Sequence, residues 1–224
     1  MPRPSPLPPF SAALIDLDGT LLDTRGDFVA ALNAMLEDLG LPAGIDTAFV
    51  ERTVGKGSEH LIRQALIHAQ AAEDLYSSAW PRYQHHYLQL EGQYSTVYEG
   101  VLEGLAQLRE RRIPLACVTN KPLAFTRPLL QAKGLDGFFY RVFGGDSFEQ
   151  KKPHPMPLIK ACESLGTPVE RAVMIGDSSN DAQAADRAGC PVILVSYGYN
   201  HGQPIRQTAA FDYVDRLDQV IRWF

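Results

Sequence analysis

Apolar positions along this chain follow two patterns. Short apolar runs at 12–17, 114–119, 140–143, 172–175 and 191–196 read as strands. All but the third, which is short and weak, lack the polar alternation of a half-exposed strand, as expected for parallel strands covered on both faces. Helical spacing fills the gaps: Val101, Leu102, Leu105 and Leu108 form one stripe. The segment 123–133 reads as a helix stopped by Gly134, 158–165 as one stopped by Gly166, and 182–188 as a short Ala-rich helix ended by Gly189. Strand–helix alternation predicts an α/β fold around a parallel sheet with right-handed crossovers.

One connection does not fit a simple crossover. More than ninety residues separate the first two runs, where about a dozen suffice. This stretch is helical in pattern. Phe28, Leu32, Met35, Leu36 and Leu39 make one stripe, Leu61, Ile62, Ala65 and Leu66 a second, and Trp80, Tyr83, Tyr87 and Leu88 a third. The organisation expected is therefore a tail at 1–11, a catalytic core at 12–26 and 94–224, and an inserted helical cap at 27–93. An insertion after the first strand lies over the carboxyl ends of the sheet, where α/β proteins bind ligands.

Composition narrows the partners. The net charge is −5 and the pI about 5.7, against a general nucleic-acid binder, which is usually basic. No apolar stretch approaches the roughly 18 residues of a membrane span. The Pro-rich start, MPRPSPLPPF, lacks the apolar centre of a signal peptide and is expected to be flexible. Cys117, Cys162 and Cys190 are odd in number and widely spaced. They are expected to be reduced thiols of a cytoplasmic protein.

The chemistry sits where the strands end. The first run leads into Asp16-Leu17-Asp18-Gly19-Thr20. If the strand persists that far, both carboxylates face one site. Two acids so close call for a cation or a shared proton, which points to a nucleophile, an acid/base and a metal. The plain alternative is a turn. The second run ends in Val118-Thr119-Asn120-Lys121. Its hydroxyl suits a phosphate oxygen, and Thr and Asn equally suit a helix cap. Lys151-Lys152-Pro153-His154-Pro155 offers a phosphate-binding ammonium or a solvated basic loop. The fourth run ends in Gly176-Asp177-Ser178-Ser179-Asn180-Asp181, whose acids suit a hard cation such as Mg²⁺ or cap the next helix. Within the insertion, Val54-Gly55-Lys56-Gly57-Ser58 is either a turn between helices or a loop that meets a ligand, with Lys56 placed to pair with a carboxylate. Tyr197, Tyr199, Asn200 and His201 follow the fifth run and are candidates for the rim, with core packing or a plain loop as the alternative.

Taken together, DLDGTLLDT, VTNKP, KKPHP and GDSSND make the chain resemble the phosphatase branch of the haloacid dehalogenase-like hydrolase superfamily over nearly its whole length after residue 10. The resemblance implies a Rossmann-like core with a helical cap. It implies Asp16 as the nucleophile that forms an aspartyl-phosphate and Asp18 as the acid/base. Thr119 and Lys152 would hold the phosphoryl oxygens, and Gly19, Thr20 and Asn120 would lie against the substrate. Asp16, Asp18 through its main-chain carbonyl, and Asp177 would bind Mg²⁺, supported by Asp181. Dehalogenases of the superfamily lack the second Asp, so Asp18 favours phosphoryl chemistry. A closer likeness rests on KKPHPMPL, GDSSNDAQAADRAGCP, YGYNHG and VGKG. It implies a small phosphorylated metabolite as substrate, 2-phosphoglycolate, recognised in part by Lys56. Ser179 and Met156 depart from closer relatives, which often carry Arg and Asp there. The alternatives are a sugar phosphate, a nucleotide, pyrophosphate, a phosphosugar mutase reaction, or a non-enzymatic binding protein that keeps the fold. The oligomeric state is not encoded in any of these features.

Overall fold

The structure, a computed structural model, describes residues 10–90 and 92–224. In chain order the elements are β1 (Ala12–Ile15), β2 (Leu22–Asp23), α1 (Arg25–Asp38), α2 (Thr47–Thr53), α3 (Ser58–His68), α4 (Tyr76–Leu90), β3 (Thr96–Val97), α5 (Val101–Glu110), β4 (Leu115–Val118), α6 (Leu123–Ala132), β5 (Arg141–Phe143), α7 (Met156–Leu165), β6 (Ala172–Gly176), α8 (Ser179–Ala188), β7 (Val192–Val195) and β8 (Asp212–Val214).

Six of the strands form one sheet in the order β5–β4–β1–β6–β7–β8, parallel throughout. The unbroken apolar runs are explained by two-sided burial. On β1, Ala13 and Ile15 enter one core, with Val101, Leu105 and Leu108 of α5. Ala12 and Leu14 enter the other, with Leu158 and Ala161 of α7 and Ala184 and Ala185 of α8. Strands β4, β6 and β7 divide their residues in the same way. The result is a helix–sheet–helix sandwich.

All five expected strands are present; four are shortened at their ends, and β6 runs one residue further, to Gly176. β8 adds a sixth, pairing Ile193 with Asp212 and Val195 with Val214. It is three residues long at the sheet edge, too short to make an apolar run. The helical insertion holds four helices rather than three stripes. The extra one, α2, is capped by Asp46, whose carboxylate accepts from the Phe49 N–H at 2.7 Å. The insertion has its own apolar core, centred on Leu32, Met35, Ile62 and Tyr83, and it rests on Phe125 and Tyr199. The chain enters and leaves it through a small antiparallel ribbon, with Leu22 opposite Val97 and Asp23 opposite Thr96.

Residues 1–9 of the expected tail lie outside the described residues. Its last two are not free: the Phe10 N–H donates to Trp223 O at 3.1 Å and the Ser11 N–H to Arg171 O at 2.8 Å, and Phe10 is buried. Among the described residues, no helix is long and apolar enough to cross a membrane. All three cysteines are free and buried.

Candidate active site

The sheet order places β1 between β4 and β6, so the chain turns to opposite sides at β1. Loops leaving the carboxyl ends of adjacent strands diverge there and open a crevice. Asp16, Asp18, Thr119, Asn120, Lys152, Asp177 and Asp181 all line this crevice, roofed by Gly55 and Ser58 of the insertion.

The first two acids reach it differently from what strand alternation predicts. β1 ends at Ile15, and the Asp16 N–H continues the ladder by one bond to Ile175 O, 2.9 Å. The Leu17 carbonyl then accepts from the N–H groups of Thr20, Leu21 and Leu22. Asp18 is therefore presented by a turn. One carboxylate oxygen of Asp18 accepts from Lys121 Nζ at 2.7 Å and from Thr24 Oγ1 at 2.8 Å, which fixes the carboxyl and leaves its other oxygen available.

Lys152 holds the centre. Its ammonium reaches Asp16 Oδ1 at 2.8 Å, Asp181 Oδ1 at 2.7 Å and the Val118 carbonyl at 2.6 Å, so three partners match its three protons. Although burial opposes it, the two carboxylates hold the ammonium above its ordinary value. The other oxygen of Asp181 accepts from Ser178 Oγ at 2.8 Å and from the N–H groups of Ser178 and Asp177. Asp181 is thus both the reciprocal cap of α8 and a fixed wall of the site.

Burial pushes the Asp16 carboxyl up to about 7, against the opposing pull of Lys152. Burial, then Asp181 and Asp16, carry Asp177 well above the carboxylate range. Asp16, Asp177 and Asp181 offer oxygens that all lie within 4.8 Å of one another. One lysine cannot balance three such charges, and an all-oxygen donor set suits a hard divalent cation.

Of the other expected residues, Gly19 and Thr20 face Asp177 rather than the cavity. Gly19 has φ 85°, and a Cβ there would stand 2.3 Å from Asp177 Oδ2; Thr20 is fully buried and its Oγ1 donates to Asp177 Oδ1 at 3.5 Å. Asn120 lines the cavity, yet its amide donates to Gly55 O at 2.8 Å and Lys152 O at 2.7 Å. Lys56 is exposed and absent from the cavity wall.

Lys121 is the residue that sequence reasoning passed over. It is buried, paired with Asp18, and its ammonium lies 4.1 Å from the Phe28 ring centre and 4.9 Å from that of Tyr87. It thus joins a core acid to two helices of the insertion. Only the fold brings α1 and α4 over β4, so no local signal marks it. Asn180 is a second such residue; its amide reaches Gly55 O at 3.1 Å. The cavity volume is about 30 Å³, enough for a water or two, so the insertion is shut down on the core.

A parallel sheet with an aspartate pair after its central strand, a buried lysine and further aspartates at the next strand end defines a phosphoryl-transfer hydrolase. The chain belongs to the haloacid dehalogenase-like hydrolase family, whose model matches residues 13–195. It is similar to phosphoglycolate phosphatases of Thiobacillus denitrificans, 40% identical over 89% of this chain and 88% of the relative, and Nitrosospira multiformis, 44% identical over 88% of each. Among solved structures it resembles a predicted phosphoglycolate phosphatase from Haemophilus somnus, with TM-score 0.89, 32% identity, and 95% and 97% of the two chains covered. CbbY from Rhodobacter sphaeroides, solved in complex with phosphate, matches with TM-score 0.81 and 25% identity over 94% of this chain and 96% of that one.

Proposed function

We propose that this phosphatase hydrolyses 2-phosphoglycolate to glycolate and phosphate through a phosphoryl group carried on Asp16. The observation that carries the reading is the meeting of Asp16, Asp18, Thr119, Lys152 and Asp177 around one small cavity. Relatives named for this substrate match most of the chain.

In the first step Asp16 attacks phosphorus. The Asp16 O–P bond forms, the P–O ester bond breaks, and Asp18 gives its proton to the departing alkoxide of glycolate. In the second step Asp18 takes a proton from the incoming water. The water oxygen bonds phosphorus, the Asp16 O–P bond breaks, and phosphate leaves. Thr119 and Lys152 bind phosphoryl oxygens; for Lys152 this exchanges the contact to Asp16, which frees the reacting oxygen. Positioning and charge neutralisation are what phosphoryl transfer chiefly demands.

The donor set fits Mg²⁺, which Asp16, Asp177 and the main-chain carbonyl of Asp18 would hold. Asp181 supports it from behind, since its oxygens already accept from Lys152, Ser178 and Asp177. When bound, the ion supplies positive charge to the phosphoryl oxygens and keeps Asp16 ionised. Lys56, exposed beside Gly55, meets incoming substrate at the rim. Three free buried thiols support a cytoplasmic setting.

The test is turnover of 2-phosphoglycolate against a panel of sugar phosphates, nucleotides, pyrophosphate and an aryl phosphate, with and without Mg²⁺. Preference for 2-phosphoglycolate is expected. An equal or better rate on another member reassigns the substrate, and no turnover of any ester removes the chemistry.

A further inference from the structure

The turn after β7 holds an imidazole, that of His201, whose two ring nitrogens lack a well-formed hydrogen bond. His201 lines the cavity, and both of its ring nitrogens are buried without a hydrogen-bond partner. The main chain of Val54 pulls on the ring without completing a hydrogen bond to it, and Cε1 sits 3.1 Å from the point where a Cβ on Gly55 would stand. Any side chain at position 55 would press on the ring.

The backbone is bent to keep it there. Asn200 and His201 have φ of 37° and 54°, a left-handed region that non-glycine residues seldom occupy and that clusters at functional sites. Asn200 fixes the bend: its carbonyl oxygen accepts from the Ser179 N–H and its amide donates to Gln203 O, both at 2.9 Å. Burial and then the charge of Lys56 lower the basicity of the ring. A neutral imidazole has one N–H to donate and one nitrogen to accept.

Charge gives the direction of the missing partner. The floor of the cavity is acidic, with Asp16, Asp177 and Asp181. Toward the cap loop the charges of Lys56 and Lys151 act on His60, and His201 lies between, within reach of both Lys56 and Asp181. Lys152, which pairs with Asp16 and Asp181, and a divalent cation would balance the floor acids for a phosphoryl group, and a second anionic group of the same ligand fits the basic side beneath the cap loop. A buried polar group left unpaired penalises the state that buries it, so a ligand group that pairs with His201 stabilises the closed arrangement.

We propose that His201 is a specificity-determining residue that donates a ring hydrogen bond to the carboxylate of the substrate. The inference rests on the reading of the substrate as a small phosphorylated carboxylic acid. In it, Lys56 attracts that carboxylate from the rim, and His201 is the group that holds it once the insertion has closed.

The experiment compares the wild type with His201→Ala and His201→Gln on 2-phosphoglycolate and on ethyl phosphate, which lacks the carboxylate. Inhibition by glycolate and the melting temperature are measured alongside. On 2-phosphoglycolate, His201→Ala is expected to lose about ten- to a hundredfold in kcat/KM, mainly through KM. On ethyl phosphate it loses less than about threefold. Inhibition by glycolate weakens in parallel. His201→Gln keeps a donor and recovers part of the loss; if the alanine variant does not fold, this variant alone decides by its ratio between the two substrates. Equal losses on both substrates, or no loss on either, overturn the proposal. A wild type that shows no preference for 2-phosphoglycolate overturns the substrate reading before any variant is made, and His201 with it.

Discussion

The amide of Asn120 donates to the carbonyl of Gly55 at 2.8 Å, so a residue at the end of a core strand grips the loop that roofs the cavity. Asn180 grips the same carbonyl from the start of α8, at 3.1 Å. Gly55 has φ 105°, and this conformation turns its carbonyl down toward both amides. Asn120→Ala removes the shorter grip and the bond to Lys152 O. Each bond is worth about 0.5–1.5 kcal/mol net, so the loss of both predicts a fall of roughly five- to 150-fold in kcat/KM, together with faster backbone hydrogen exchange around 54–57. Unchanged exchange there would show that Asn120 does not hold the loop.

Asp16→Asn is expected to lower turnover by at least about 10³-fold on any ester, since an amide neither attacks phosphorus nor carries charge. Asp18→Asn is expected to lose about 10²- to 10⁴-fold, the range of a positioned acid/base. Mass spectrometry of quenched reactions should find phosphate on Asp16 in the wild type and none in Asp16→Asn. A labelled site elsewhere would move the nucleophile.

The cation-free protein should grow less stable as pH rises. The carboxyl of Asp16 has an ordinary value of 3.8 and stands at about 7 in the folded chain. Between those values the folded state holds the extra proton, so raising the pH removes stability by up to about 1.4 kcal/mol per unit until about pH 7. Mg²⁺ binds the ionised form, so its effect on Tm should be larger at about pH 8 than at about pH 5. EDTA should stop turnover and Mg²⁺ restore it, with Ca²⁺ a poor substitute because of its looser coordination. An Mg²⁺ effect on Tm that does not change with pH would separate the cation from Asp16.

Lys121→Met keeps the apolar stem among Phe28 and Tyr87 and removes the ammonium that holds Asp18. A tenfold or greater loss of kcat, about 1.4 kcal/mol of barrier, is expected in addition to the fall in Tm that follows from leaving Asp18 without its buried partner. A loss confined to Tm would make the lysine a packing residue only.

Asp181→Ala strands the Lys152 ammonium and the Ser178 hydroxyl, both buried. Breaking a buried pair from one side costs about 3–5 kcal/mol, so the midpoint of urea unfolding should fall sharply. Asp181→Asn, which keeps an acceptor, should fall less. Equal midpoints for the two variants would contradict this account.

Much of the fold was legible because two-sided burial writes itself as unbroken apolar runs: Ala12 to Ile15 could hardly be anything but a central strand. Gly166 and Gly189 likewise mark their helix ends, and both take the left-handed conformation there. β8 and the β2–β3 ribbon stayed hidden because two or three residues cannot establish a period. The positions of Asp16 and Asp177 could be read since each directly follows a strand and strand ends converge in a parallel sheet, and Asp18 and Lys152 lie in the loops that leave β1 and β5. The partners of Asn120, Lys121 and Asn180 could not, because those contacts cross from core to insertion and depend on how the two pack. Thr20 shows the opposite error: its place in the aspartate segment points to substrate, while the turn directs it at Asp177.

The ribbon that pairs Leu22 with Val97 and Asp23 with Thr96 has a wider meaning. Peptide going out and peptide coming back stand one strand spacing apart, about 5 Å, so to the sheet the whole excursion is a detour through a single doorway. Segments that begin and end at one point are those most readily lengthened, shortened or traded. The catalytic floor can then be inherited unchanged while the detour is rewritten, and a lineage of such proteins is free to acquire new substrates without renegotiating the chemistry beneath.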